Sequence, residues 1–177
     1  SSTIAGEFHL TTMILNVPIV FIGTSLSEVL IQHLSEKRQK KSLMWPEMKK
    51  MMGFLFLMGL FLGIVIWSIG PWLFSFFFGA DWEISGCYAQ IFVFLAIVRL
   101  VASPFNVAFV ILERVKLFAV WQILYFIGIL AISQFDFLSF NNFLWLLVVI
   151  GSFFYVINII LIRNIIINYD VSIKTGF

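Results

Sequence analysis

VFLAIVRLVASPFNVAFVIL, residues 93–112, is an apolar run broken by an arginine, Arg99, and a proline, Pro104. A run of about 20 apolar residues is long enough to cross the hydrocarbon core of a bilayer as a helix. A charge at that depth costs at least about 2.5–3.5 kcal/mol unless it faces the interior of a bundle or a wet cavity. A proline removes one backbone hydrogen bond and bends the helix that holds it. On a helix turning about 100° per residue, Arg99, Ser103, Asn106 and Glu113 fall on one face. Two readings follow for this polar stripe. It lines a cavity shaped by the Pro104 bend, or Arg99 bonds backbone carbonyls of neighbouring helices and holds the bundle together.

The rest of the chain supports a membrane setting. Of its 177 residues 62% are hydrophobic, 22 are Phe, and only 11% are charged. A soluble domain carries about 25% charge. A chain of this size still exposes about a third of its surface when folded, so this much apolar surface requires lipid as solvent. Five segments are long enough to span, at 9–33, 51–78, 87–112, 117–135 and 142–166. All are expected to be helices, because unpaired backbone groups facing lipid cost several kcal/mol each. The expected fold is an all-α polytopic helix bundle forming one transmembrane domain over residues 1–177.

Orientation follows from the connections. Residues 34–50 hold Lys37, Arg38, Lys40, Lys41, Lys49 and Lys50, and 113–116 hold Arg114 and Lys116. The tail after 162 adds Arg163 and Lys174, whereas 79–86 and 136–141 have no Lys or Arg. Basic residues thus alternate between sides, and the positive-inside rule places the C-terminus in the cytoplasm. The first helix then starts outside, which is the pattern expected of a piece of a longer chain. Trp45 and Trp82 suit the interfacial aromatic belt.

The first span repeats the polar theme. His9, Thr12, Asn16, Gly23 and Ser27 share a face that Pro18 interrupts, and small residues there suit close helix packing. Gly59 and Gly63 form a GxxxG pair in the second span, and Pro71 is a third candidate kink. Glu28 is the one candidate proton carrier at membrane depth, or else an interfacial carboxylate beside Lys37 and Arg38. A net charge of +2 gives no field for nucleic acid, one cysteine allows no internal disulfide, and His9 and His33 have no metal-ligand spacing. No nucleophile–base set and no phosphate loop are legible, so neither enzymatic chemistry nor a cofactor is expected.

The stretch 69–116 resembles the polysaccharide flippases that export lipid-linked O-antigen and capsule repeat units. The resemblance rests on Gly70, Pro71, Leu73 and Phe74. It continues through a connection with Phe78, Gly79, Trp82, Ser85, Gly86, Tyr88 and Ile91, then Arg99, Ser103 and Pro104, and finally Leu112, Glu113 and Arg114. Residues 5–30 look like the family helix with a glycine-aromatic start and a central proline, although Met13 stands where many relatives carry a basic residue. The resemblance implies two lobes of six helices with cytoplasmic termini, in which this chain would be helices eight to twelve, a partial C-terminal lobe without its N-terminal partner lobe. It further implies a carrier in a bacterial or archaeal plasma membrane that flips undecaprenyl-diphosphate-linked oligosaccharide by alternating access, with H+ or Na+ as a possible coupling ion. Membrane lipids, the lipid-linked oligosaccharide and the missing lobe are the implied partners. Arg99, Ser103, Asn106, Glu113 and Asn16 are the substrate-cavity candidates, and Pro18, Pro71 and Pro104 the kinks. Alternatives are a lipid II flippase or multidrug antiporter of the same superfamily, or a membrane glycosyltransferase or assembly subunit of the polysaccharide pathway.

Overall fold

A computed structural model describes residues 2–134 and 139–175. Its main helices are α1 (Ser2–Gln39), α2 (Trp45–Phe78), α3 (Glu83–Ala102), α4 (Val107–Ile111), α5 (Val115–Ser133) and α6 (Phe140–Thr175), with short 3-10 turns at Ala80–Trp82 and Ser103–Asn106. Among the described residues five helical stretches are long and apolar enough to span a membrane: Ile4–Gln39, Trp45–Phe78, Ala80–Ile111, Val115–Ile132 and Phe140–Thr175. The chain is therefore an all-helical, multi-pass membrane protein. Residues 135–138, which include the end of the fourth expected span and part of the 136–141 connection, lie outside the described residues.

The helices overrun the apolar segments that announce them. Lys37 and Arg38 stay in the last turn of α1, and α6 continues to Thr175. At 36 residues α6 extends about 54 Å, well past the roughly 30 Å of hydrocarbon. The excess is held by tertiary bonds. Asp170 on α6 accepts the backbone N–H of Met44 and of Trp45, each at 2.9 Å, and so caps the start of α2. Those N–H groups have no partner within their own helix, and a carboxylate there also meets the positive end of the helix dipole.

The same bonds define the two ends of the bundle. Arg38 reaches Glu113 at 2.6 Å, and Arg163 stands 6.0 Å over the Trp45 ring. The 40–44 and 112–114 connections and the end of α6 therefore share one end. At the other, Phe8, Tyr88 and Phe140 meet edge-on, and Ser85 Oγ donates to the Glu7 carbonyl. The first of these ends gathers the basic connections. The second carries Glu7, Asp81 and Glu83.

Helix α3 sits at the centre, the most buried of the spans, with α1, α2 and α6 against it. Its approach to α2 is set by glycine. A Cβ on Gly86 would stand 2.5 Å from Pro71 Cα and 2.6 Å from the Gly70 carbonyl oxygen, so the two backbones touch. Gly59 and Gly63 extend this contact along Ile97. The contact falls where α2 bends, since Ile69 leaves helical geometry (φ −133°, ψ 15°) two residues before Pro71. Pro71 has no N–H to give the Trp67 carbonyl, and Gln90 Nε2 of α3 donates to that oxygen instead at 2.6 Å. By contrast α1 runs past Pro18 as one unbroken helix.

The spare helix is α5, docked through a row of stacked rings. Phe109, Phe118, Trp121 and Tyr125 follow one another at 5.1, 5.7 and 5.7 Å, and Trp121 Nε1 donates to the Phe154 carbonyl at 2.9 Å. A cluster around Leu34, Met48, Phe105, Phe109 and Ile162 packs the basic end.

Candidate functional site

Helices α1 and α3 bring two polar faces together. Arg99 Nη1 donates to Asn16 Oδ1 at 2.9 Å, and both side chains are half-buried. Tyr125 of α5 and Tyr155 of α6 pack edge-on, ring centroids 5.6 Å apart. Among the described residues no carboxylate pairs with Arg99, so its partner is a neutral amide.

One turn onward the chain leaves α-geometry. Ser103, Pro104, Phe105 and Asn106 form a 3-10 turn that runs on directly from α3, and Pro104 has no N–H to give the Leu100 carbonyl one turn back. Ser27 of α1 lies against this turn, its hydroxyl 2.6 Å from the Gly23 carbonyl and 3.3 Å from the Pro104 carbonyl. Gly23 is buried, and a Cβ there would meet Ser103 Oγ at 3.5 Å. Asn106 Oδ1 is buried with no hydrogen-bond partner, as are both polar atoms of Asn158 on α6. Stranded buried polar atoms cost about 1–3 kcal/mol each.

Glu113 belongs elsewhere. The expected single helix over 87–112 is three pieces, because a 3-10 turn advances three residues per turn rather than 3.6 and the helix closes at Ile111. Glu113 then adopts a left-handed conformation (φ 57°), with its N–H on the Val110 carbonyl and that of Arg114 on the Phe109 carbonyl. This is a Schellman stop with glutamate in the place glycine usually takes. The carboxylate points outward to Arg38. The four-residue stripe thus divides: Arg99, Ser103 and Asn106 stay in the bundle, and Glu113 joins the basic end.

Cavities follow the same division. A crevice of about 340 Å³ is lined by Gly23, Thr24, Ser27, Glu28 and Ser103 among others. A larger cleft of about 1220 Å³ opens between the 113–116 connection and α6. An apolar groove of about 560 Å³ runs between α1 and α2. Arg99 lines none of these.

Several polar residues with clear structural work were silent in the sequence. Asp170 caps a helix 126 positions earlier, and Gln90 serves a carbonyl that a proline frees. Thr11, fully buried, bridges α1 and α3 near the acidic end by donating to the Ser85 carbonyl. A proline pattern at Trp45–Pro46–Glu47 signals the helix start, but nothing local signals its distant cap. Among the described residues no group of His, Cys, Asp and Glu could hold a metal. No protein-family model matches the chain, and no curated protein or solved structure matches it.

Proposed function

We propose that the chain forms part of a carrier that moves an undecaprenyl-diphosphate-linked oligosaccharide across the plasma membrane of a bacterium or archaeon. The observation that carries this reading is Arg99, a cation inside the bundle whose bonded partner is the neutral Asn16. A guanidinium has five donors in a planar fork that matches phosphate or carboxylate oxygens. One donor on an amide leaves its charge free for an anionic cargo, and an amide yields its place to a diphosphate at little electrostatic cost.

The remaining supports are coarser. The 69–116 resemblance puts its Gly-Pro and Ser-Gly elements, Gly70–Pro71 and Ser85–Gly86, on two helices whose backbones touch. The Ser103–Asn106 turn interrupts α-helical hydrogen bonding between the Arg99 helix and α4, and alternating access would use such a weak point as a joint. With the basic end in the cytoplasm, as the positive-inside rule directs, the first helix enters from outside. A second lobe would complete the cavity.

A structural reading of the same residues competes, favoured by the Ser27 contact with Pro104, which closes α1 on α3. In it Arg99 is a bundle fastener in an assembly subunit. The two separate in one experiment on the full-length carrier. Arg99→Ala is expected to abolish or strongly reduce surface polysaccharide while protein level stays near normal, and Arg99→Lys to keep part of the activity. Activity that falls only in proportion to immunoblotted protein would make Arg99 a fastener and sink the carrier role given to it.

A further inference from the structure

We infer that the cleft at the basic end binds the phosphate of an anionic lipid, with the lipid's chain along its apolar wall. The inference stands apart from the carrier reading and does not involve Arg99. Three cations line the cleft, Arg38, Arg114 and Lys116, against the single carboxylate of Glu113. That carboxylate is engaged by Arg38, whose other nitrogen holds the Ile111 carbonyl. Among the described residues Arg114 and Lys116 have no carboxylate partner, so the rim keeps two free positive charges.

Neutral donors stand opposite. Asn164, Asn168 and Ser172 recur every four residues and therefore stack along one face of α6, facing the cleft. Amide N–H groups of this kind complete the hydrogen bonding of a phosphate that cations attract. Along the same cleft Val120, Leu161 and Ile165 supply an apolar wall. A charged mouth leading to an apolar wall at the end of a membrane helix bundle fits an amphiphile, and the volume of about 1220 Å³ holds a headgroup and the start of a chain. Basic pockets between helices at a membrane surface bind lipid headgroups by this chemistry.

The backbone is committed to the arrangement. Glu113 holds a left-handed conformation in which the Cβ of any residue but glycine crowds the following carbonyl oxygen. The turn it makes places Arg114 and Lys116 on the exposed rim of the cleft that α6 closes on its other side. Strain retained at one residue that positions two unpaired cations is the pattern of a binding loop.

Native mass spectrometry of the full-length protein in detergent, titrated with dioleoylphosphatidylglycerol, tests this. The variant R114Q/K116Q is expected to bind that lipid about tenfold or more weakly than wild type, at about one kcal/mol per cation lost. K49Q/K50Q, which removes two cations of the same end outside the cleft, is expected to bind like wild type, and dioleoylphosphatidylcholine to show no difference among the three. Both residues of the first variant are exposed, and an unchanged melting temperature checks that folding is intact. Equal weakening in both double variants would assign binding to diffuse surface charge and overturn the site, as would unimpaired binding by R114Q/K116Q. Displacement of the lipid by millimolar inorganic phosphate, with the same dependence on Arg114 and Lys116, would keep the phosphate site and overturn its lipid source.

Discussion

At position 86 a single methyl group would lie 2.5 Å from Pro71 Cα and 2.7 Å from the Gly70 carbonyl carbon. Both obstacles are backbone, and backbone at the meeting of two helices has nowhere to go without moving the helices apart. Gly86→Ala is therefore expected to cost about 3 kcal/mol or more, read as a large drop in melting temperature in detergent. Gly63→Ala is the contrast. Its new methyl would meet Ile97 Cδ1 at 2.7 Å, the far end of a flexible side chain, so its cost is expected below about 1.5 kcal/mol. Equal losses at the two positions would show that the α2–α3 contact yields at Gly70 as easily as at Ile97.

Between α2 and α3 the unit of stability is an exchange of hydrogen bonds. Pro71 withholds a donor from the Trp67 carbonyl, and Gln90 supplies one from the next helix. Gln90→Leu is expected to destabilise by about 1–3 kcal/mol, because it strands a carbonyl where water is scarce. In a Pro71→Ala background the backbone N–H restored at position 71 can serve that carbonyl, so the same Gln90→Leu change is expected to cost less. Four melting curves close this double-mutant cycle, and simple additivity would break the proposed exchange. The sequence made the spans plain, because about 20 apolar residues in a row admit one solution in lipid. Of the three prolines it marked as kinks, Pro71 lies beside the non-helical Ile69, Pro104 lies in a 3-10 turn, and Pro18 sits in unbroken helix. The sequence could not show Gln90 beside Trp67, or Asp170 beneath Met44, because those partners come from other helices and follow no local period. The polar stripe ran one residue too far for a related reason. Periodicity assumes an unbroken helix, and the 3-10 turn at Ser103–Asn106 resets the angle before Glu113. Helix ends were understated too, since Lys37, Arg38 and the 167–175 tail are polar yet keep helical geometry outside the hydrocarbon.

For the whole molecule the decisive arrangement is that its connections sort by charge. The 40–44 and 112–114 connections share an end with the close of α6, while 79–82 lies with the start of α1. After Cys87, the one native cysteine, is changed to serine, single cysteines at Asp81 and at Ser42 are expected to react with a membrane-impermeant maleimide from opposite sides. Labelling of Asp81→Cys from outside intact cells, with Ser42→Cys protected until the cells are opened, also fixes which side is which. Labelling of both from one side would contradict the bundle as well as the orientation.

The same sorting leaves Arg99 in a singular electrical position. Ten of the eleven Lys and Arg residues lie toward the basic end of the bundle, and Arg99 lies nearer the middle of its span. In a bilayer, a cation at mid-span such as Arg99 would stand inside the field of the transmembrane voltage. A rearrangement that carried it through half of that field would exchange about 1 kcal/mol for every 100 mV. In any rearrangement of that kind, one guanidinium would make the rate depend on the membrane voltage with no ion bound at all.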